Sequence, residues 1–121
     1  MWKIKKNLIN DIIQSSKNYL PEEFLCFLSG NEEKKEINEI VLIPTQNGND
    51  YSSINIYNMP IDKTIIGSLH SHPNGLPIAS KADKKFFERF KINIIIGITQ
   101  VETKINAYDN KSNKINIKIV D

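Results

Sequence analysis

The chain has two histidines, His70 and His72, and they stand two residues apart in the run Ser68-Leu69-His70-Ser71-His72-Pro73. On an extended backbone residues i and i+2 point to the same face, so both imidazoles can be offered to one ion. Pro73 ends the strand at once, which fixes where the second imidazole sits. A carboxylate, Asp83, follows on the first turn of the next expected helix, giving the spacing H-x-H-x10-D. Two imidazoles and a carboxylate suit Zn²⁺, and three protein ligands leave a fourth position for water, the catalytic pattern. Structural zinc is usually closed by four ligands, often cysteines, and this chain has only Cys26. Each piece also has a plainer reading. Histidines at a strand end are often just exposed, and Ser80-x-x-Asp83 is a helix-capping pattern. The joint pattern of H-S-H-P, six residues and S-x-x-D carries the metal reading.

Periodicity sets out the elements that must position these residues. Ile4, Leu8, Ile12, Ile13 and Tyr19 recur at mostly three-to-four-residue spacing and predict an amphipathic helix over 4–19, ending before Pro21. Residues 23–29 form an apolar run too short for a typical helix, a buried strand closed by Gly30. Residues 31–36 read as a solvated turn and 37–44 as a second strand. Asn-Gly chemistry at 46–50 leads into a third strand at SSINIYN. Residues 63–69 predict a fourth strand running straight into His70. A helix is expected over 80–90, with Phe86, Phe87 and Phe90 on its apolar side. The wholly apolar run 92–99 belongs at the centre of a sheet. Two alternating strands close the chain around a turn at Asp109-Asn110-Lys111. The fold class is α/β: a single domain over 1–121, with a mixed β-sheet flanked by one helix before it and one inserted into it.

Composition agrees with an ordinary globular protein: 121 residues, 40% hydrophobic and 25% charged. A lone cysteine cannot form an internal disulfide and fits a reducing compartment. A formal net charge of +2, spread along the chain, demands neither nucleic acid nor an anionic membrane as partner. Asn7, Asn10 and Asp11 interrupt the N-terminal apolar residues, so no signal peptide is expected. No segment has the length to cross a bilayer. The expected location is cytoplasmic, and the richness in Ile, Asn and Lys suggests an AT-rich microbial genome.

The segment HSHPNGLPIASKAD resembles the signature of the JAMM (MPN-plus) zinc metalloproteases, H-[ST]-H-P-x6-S-x-x-D, at every fixed position. The family's upstream glutamate motif, P-x-E-x-x-[GC]-x-L-x-G, is looser, and PEEFLCFLSG offers it with Glu23 seven residues before Gly30. The resemblance covers the first expected strand through the second helix. It implies the MPN (cytidine-deaminase-like) fold, one Zn²⁺ held by His70, His72 and Asp83, and Glu23 as the general base acting on the water. It also implies Ser80 as the hydroxyl that donates to the oxyanion, a job that competes with helix capping. Glu22 is the rival to Glu23; strand alternation would put the two on opposite faces, so only one can look at the metal.

The resemblance further implies hydrolysis of an amide or isopeptide bond at the C-terminus of a ubiquitin-like protein, whose Gly-Gly tail could add as a strand to a sheet edge. The stretch from Ser52 to Thr64 leaves no room for the long insertions of specialised relatives, which points to small prokaryotic modifiers or sulfur carriers. The expected state is a monomer or homodimer. Two alternatives stand beside this reading: a RadC-like, DNA-related role, against which Ser71 in place of Asn counts, and a non-catalytic MPN scaffold, against which the filled ligand positions count. Cys26 reads as a small core residue, and Lys81, Lys84, Lys85, Arg89 and Lys91 as a solvated basic face.

Overall fold

The computed structural model describes residues 1–42 and 63–121. The chain opens on a strand. Trp2 and Ile4 are buried and alternate with exposed Lys3 and Lys5, making β1 (Trp2–Lys5) ahead of α1 (Lys6–Tyr19). The expected helix therefore starts two residues late, because Ile4 fits either period and pairing of β1 with two neighbouring strands decides it. Next come β2 (Leu25–Asn31), β3 (Glu36–Leu42), β4 (Ile65–His72), α2 (Lys81–Phe87), β5 (Ile92–Ile98), β6 (Thr103–Tyr108), β7 (Lys114–Ile115) and β8 (Ile117–Val120). The turn expected at 46–50, the strand at SSINIYN and the last two residues of 37–44 lie outside the described residues.

The strands form one mixed sheet in the order β7-β6-β5-β4-β2-β3-β1-β8. β4 runs parallel to β5, and β1 parallel to β3 and β8; the other neighbours are antiparallel. The final alternating run was expected to be one strand. It breaks at Asn116 into β7 and β8, which sit on opposite edges of the sheet. With one residue between them the two edges must meet at that corner, so the sheet curls around α1, which packs on β1, β3, β5 and β8.

Side chains alternate to two cores. Ile9 and Ile12 of α1 meet Cys26, Leu28, Leu69, Ile92, Ile94, Ile96 and Ile98 on one face. Leu25, Phe27 and Ile95 meet Phe86, Phe87 and Phe90 on the other. Every residue of β5 is buried, as the apolar run requires. A fully buried Ile contributes about 1.5–3 kcal/mol relative to an exposed one, so β5 anchors its neighbour β4 firmly. β4 carries both histidines.

The inserted helix is shorter than expected. Past Phe87 the chain tightens into three-residue turns, with the N–H groups of Glu88, Arg89 and Phe90 donating to the carbonyls of Lys85, Phe86 and Phe87. The fully buried Asn93 amide donates to the Phe87 and Phe90 carbonyls at 3.4 and 3.2 Å and accepts the Ser68 hydroxyl at 2.6 Å. The end of α2 is thus tied to β4. No described helix is long and apolar enough to cross a membrane.

Candidate metal centre

β4 ends on the two histidines, and α2 begins opposite them. His70 Nε2 lies 3.0 Å from His72 Nε2, 3.1 Å from Asp83 Oδ1, and His72 Nε2 lies 3.2 Å from Asp83 Oδ2. His70 is buried; His72 and Asp83 are mostly so. Zinc–ligand bonds of about 2.0–2.1 Å in a tetrahedron set ligand atoms roughly 3.3 Å apart, close to the separations seen. Two imidazole nitrogens and a carboxylate facing one point fit Zn²⁺ in chemistry and in spacing. The structure thus brings together all three residues singled out by the H-x-H-x10-D spacing.

Several bonds hold these groups in place. His72 Nδ1 donates to the Leu76 carbonyl at 2.9 Å, which fixes the ring's orientation and leaves Nε2 as the atom that faces His70 and Asp83. Ser80 is the N-cap of α2: its Oγ accepts from the Asp83 N–H at 3.0 Å, and Asp83 Oδ2 accepts from the Ser80 N–H at 2.9 Å. Burial works against a charged Asp83, but hydrogen bonds from His70 and His72 outweigh it and hold the carboxyl well below the usual carboxylate range. The hydrogen bond to Asp83 raises the His72 pKa against the opposing effect of burial.

The loop between the ligands is pinned. The Pro77 carbonyl accepts from Tyr108 Oη at 2.8 Å and from Asn106 Nδ2 at 3.1 Å. Gly75, at φ +82°, takes a conformation that favours glycine. The loop lies directly on Gly97 of β5, where a Cβ would stand 2.5 Å from the Gly75 carbonyl oxygen. Sequence reasoning missed Gly97, Asn106 and Tyr108. A signal existed for Gly97, since a lone glycine in an all-apolar strand marks close backbone approach.

Glu23 departs from expectation. The strand starts at Leu25, so Glu22 and Glu23 precede it, and alternation cannot choose between them. Leu25 pairs with His70 and the Phe24 N–H donates to Ser71 Oγ, which brings the segment carrying both glutamates to the ligand end of β4. The Glu23 charge also helps raise the His72 pKa. Ser80 caps α2 through its Oγ, which accepts the Asp83 N–H and does not use its own proton in that bond. Capping uses an oxygen lone pair, whereas an oxyanion needs the hydroxyl proton. Cys26 is buried in the core, its thiol pushed up to about 12 by burial, and is no nucleophile at neutral pH. The α2 lysines are exposed, with Lys85 3.3 Å from Glu88.

A family model for prokaryotic homologs of the JAB domain matches residues 5–111. A Haloferax volcanii protein named "Probable metalloprotease" is 26% identical over 98% of this chain and 79% of its own length. A JAB1/MPN domain protein from Archaeoglobus fulgidus superposes with a TM-score of 0.73 at 25% identity, over 98% of this chain and 99% of that one. A structure described as "JAMM: A Metalloprotease-like Zinc Site in the Proteasome and Signalosome" gives 0.73 at 23% identity, over 100% and 99%. At that identity it speaks for the fold alone, and the fold is the one expected.

Proposed function

The chain belongs to the family of prokaryotic JAB-domain homologs, and from that premise we propose that this zinc hydrolase is an isopeptidase acting at the C-terminus of a ubiquitin-like protein. The observation that carries the reading is the convergence of His70, His72 and Asp83 within 3.0 to 3.2 Å of one another. A zinc ion held there supplies a Lewis acid that brings the pKa of water from 15.7 to about 7.

The chain's own residues do the rest. Glu23 takes the proton of the attacking water and returns it to the leaving amine, work that contributes typically about 10²–10⁴-fold. Ser80 donates its hydroxyl proton to the substrate carbonyl oxygen as charge builds there, and losing such a donor costs about 2.7–4 kcal/mol. Asp83 would hold the ion through its carboxylate, which the Ser80 N–H fixes in place at 2.9 Å. Leu76 keeps the His72 ring in one orientation.

The substrate is an extended Gly-Gly tail, held by backbone hydrogen bonds in the manner of strand addition, from a small prokaryotic modifier or sulfur carrier. The test is cleavage of a ubiquitin-like protein fused through its C-terminal glycine to a reporter amine, with and without chelator. Chelator-sensitive cleavage after that glycine is expected. Zinc-loaded protein that leaves every such fusion intact while cutting unrelated peptides would sink the substrate assignment.

A further inference from the structure

Between the two histidines stands a buried side chain that the reaction above does not use. Ser71 is 0% exposed, and it meets the chain just after Glu23. Its N–H donates to the Phe24 carbonyl at 2.9 Å, and its Oγ accepts the Phe24 N–H at 2.8 Å. A regular hydrogen-bonded pair of antiparallel residues exchanges two backbone bonds, N–H to C=O in each direction. At Phe24 and Ser71 only one of these is made by backbone. The serine hydroxyl stands in for its own carbonyl in the other. The ladder therefore ends with Leu25 and His70, and Glu23, the residue before Phe24, lies outside the strand.

We propose that Ser71 is a positioning residue for Glu23, its hydroxyl anchoring the Phe24 amide so that the carboxylate one residue earlier is held at the ligand end of β4. The proposal rests on the reading of Glu23 as general base. It gives the Ser71 hydroxyl a role apart from metal binding, since that side chain bonds to backbone. Phe24 is 3% exposed, so without that oxygen its N–H is buried with no acceptor and the segment must shift.

The test compares Ser71→Ala, Ser71→Thr and Glu23→Gln in the whole zinc-loaded chain. Four quantities are read: zinc content, exchange of the Phe24 amide by NMR, and kcat and KM on the glycine-fused ubiquitin-like reporter. Ser71→Ala is expected to keep one zinc per chain while the Phe24 amide exchanges at least about tenfold faster. Its kcat should fall on the order of 10²-fold, the effect of about 1 Å of misplacement, with KM unchanged. Ser71→Thr restores both exchange and kcat. Should Ser71→Ala not fold, Ser71→Cys, similar in size but a weak acceptor, gives the same comparison. A zinc-loaded Ser71→Ala as fast as wild type, beside an inactive Glu23→Gln, overturns the role of Ser71 and leaves Glu23 as base. A Glu23→Gln as fast as wild type overturns the base assignment and the proposal with it. Unchanged Phe24 exchange in Ser71→Ala overturns the proposed anchor.

Discussion

The two faces of the sheet are built from the same strands, yet they differ in kind. Against α1 the contacts are apolar, with Ile9, Ile12, Leu69 and Ile92, Ile94, Ile96 and Ile98 of β5 fully or nearly fully buried. Against α2 the packing is threaded with polar groups: Asn93 joins Ser68 to the end of the helix, and Ser80, Asp83 and the histidines join its start to β4. Among the described residues no buried side-chain polar atom lacks a partner. One face supplies stability without direction. The other converts that stability into fixed distances between chemical groups, because hydrogen bonds, unlike apolar contacts, specify geometry.

Substitutions should therefore separate by face, and they can be ordered by their effect on the site. His72→Ala is the largest: we expect loss of bound zinc and of all zinc-dependent hydrolysis, read by elemental analysis and the reporter assay. Glu23→Ala comes next, with zinc retained and kcat down about 10²–10⁴-fold; zinc-replete Glu23→Ala that cleaves normally would show that another group is the base. Gly97→Ala is subtler and sharpens the contrast. Its Cβ would press on the Gly75 carbonyl, a backbone atom that cannot swing away. Overpacking of this kind costs about 1–3 kcal/mol, and displacing the loop that orients His72 should weaken zinc affinity about 10–100-fold. Ile94→Ala, on the α1 face, should lower stability by about 2–5 kcal/mol in denaturant unfolding while zinc content stays at one per chain. Loss of zinc in folded Ile94→Ala would break the distinction between the faces.

Acidity offers a further check. The His72 pKa is raised, so in the zinc-free protein its contribution to stability is present below the ordinary histidine value and fades as pH rises through the raised one. Zinc must displace that proton. Apparent zinc affinity should therefore fall as pH drops below the raised pKa, by about tenfold per pH unit for each proton displaced. The depressed Asp83 pKa acts in the other sense, its contribution lost only below the usual carboxylate range.

The site was legible in the sequence because its logic is local. Strand parity alone aligns His70 with His72, and a helix cap alone sets Asp83 three residues after Ser80. Pairing over longer range was not legible. Ile4 satisfies both a helical and an alternating period, and only the register with β3 and β8 makes it a strand residue. The break at Asn116 likewise depends on where the two sheet edges meet. The bond from Phe24 to Ser71 spans 47 residues and leaves no periodic trace. Residues 23–29 were readable as a strand, but its start two residues later, which frees Glu23, follows from that same distant bond.

The central claim, that His70, His72 and Asp83 share one zinc ion, is tested most directly by X-ray absorption at the zinc edge on protein loaded with one equivalent. The account predicts tight retention of the ion, two imidazole ligands and only nitrogen or oxygen neighbours at about 2.0–2.1 Å. A sulfur neighbour at about 2.3 Å, or zinc that washes away from folded protein, would contradict it.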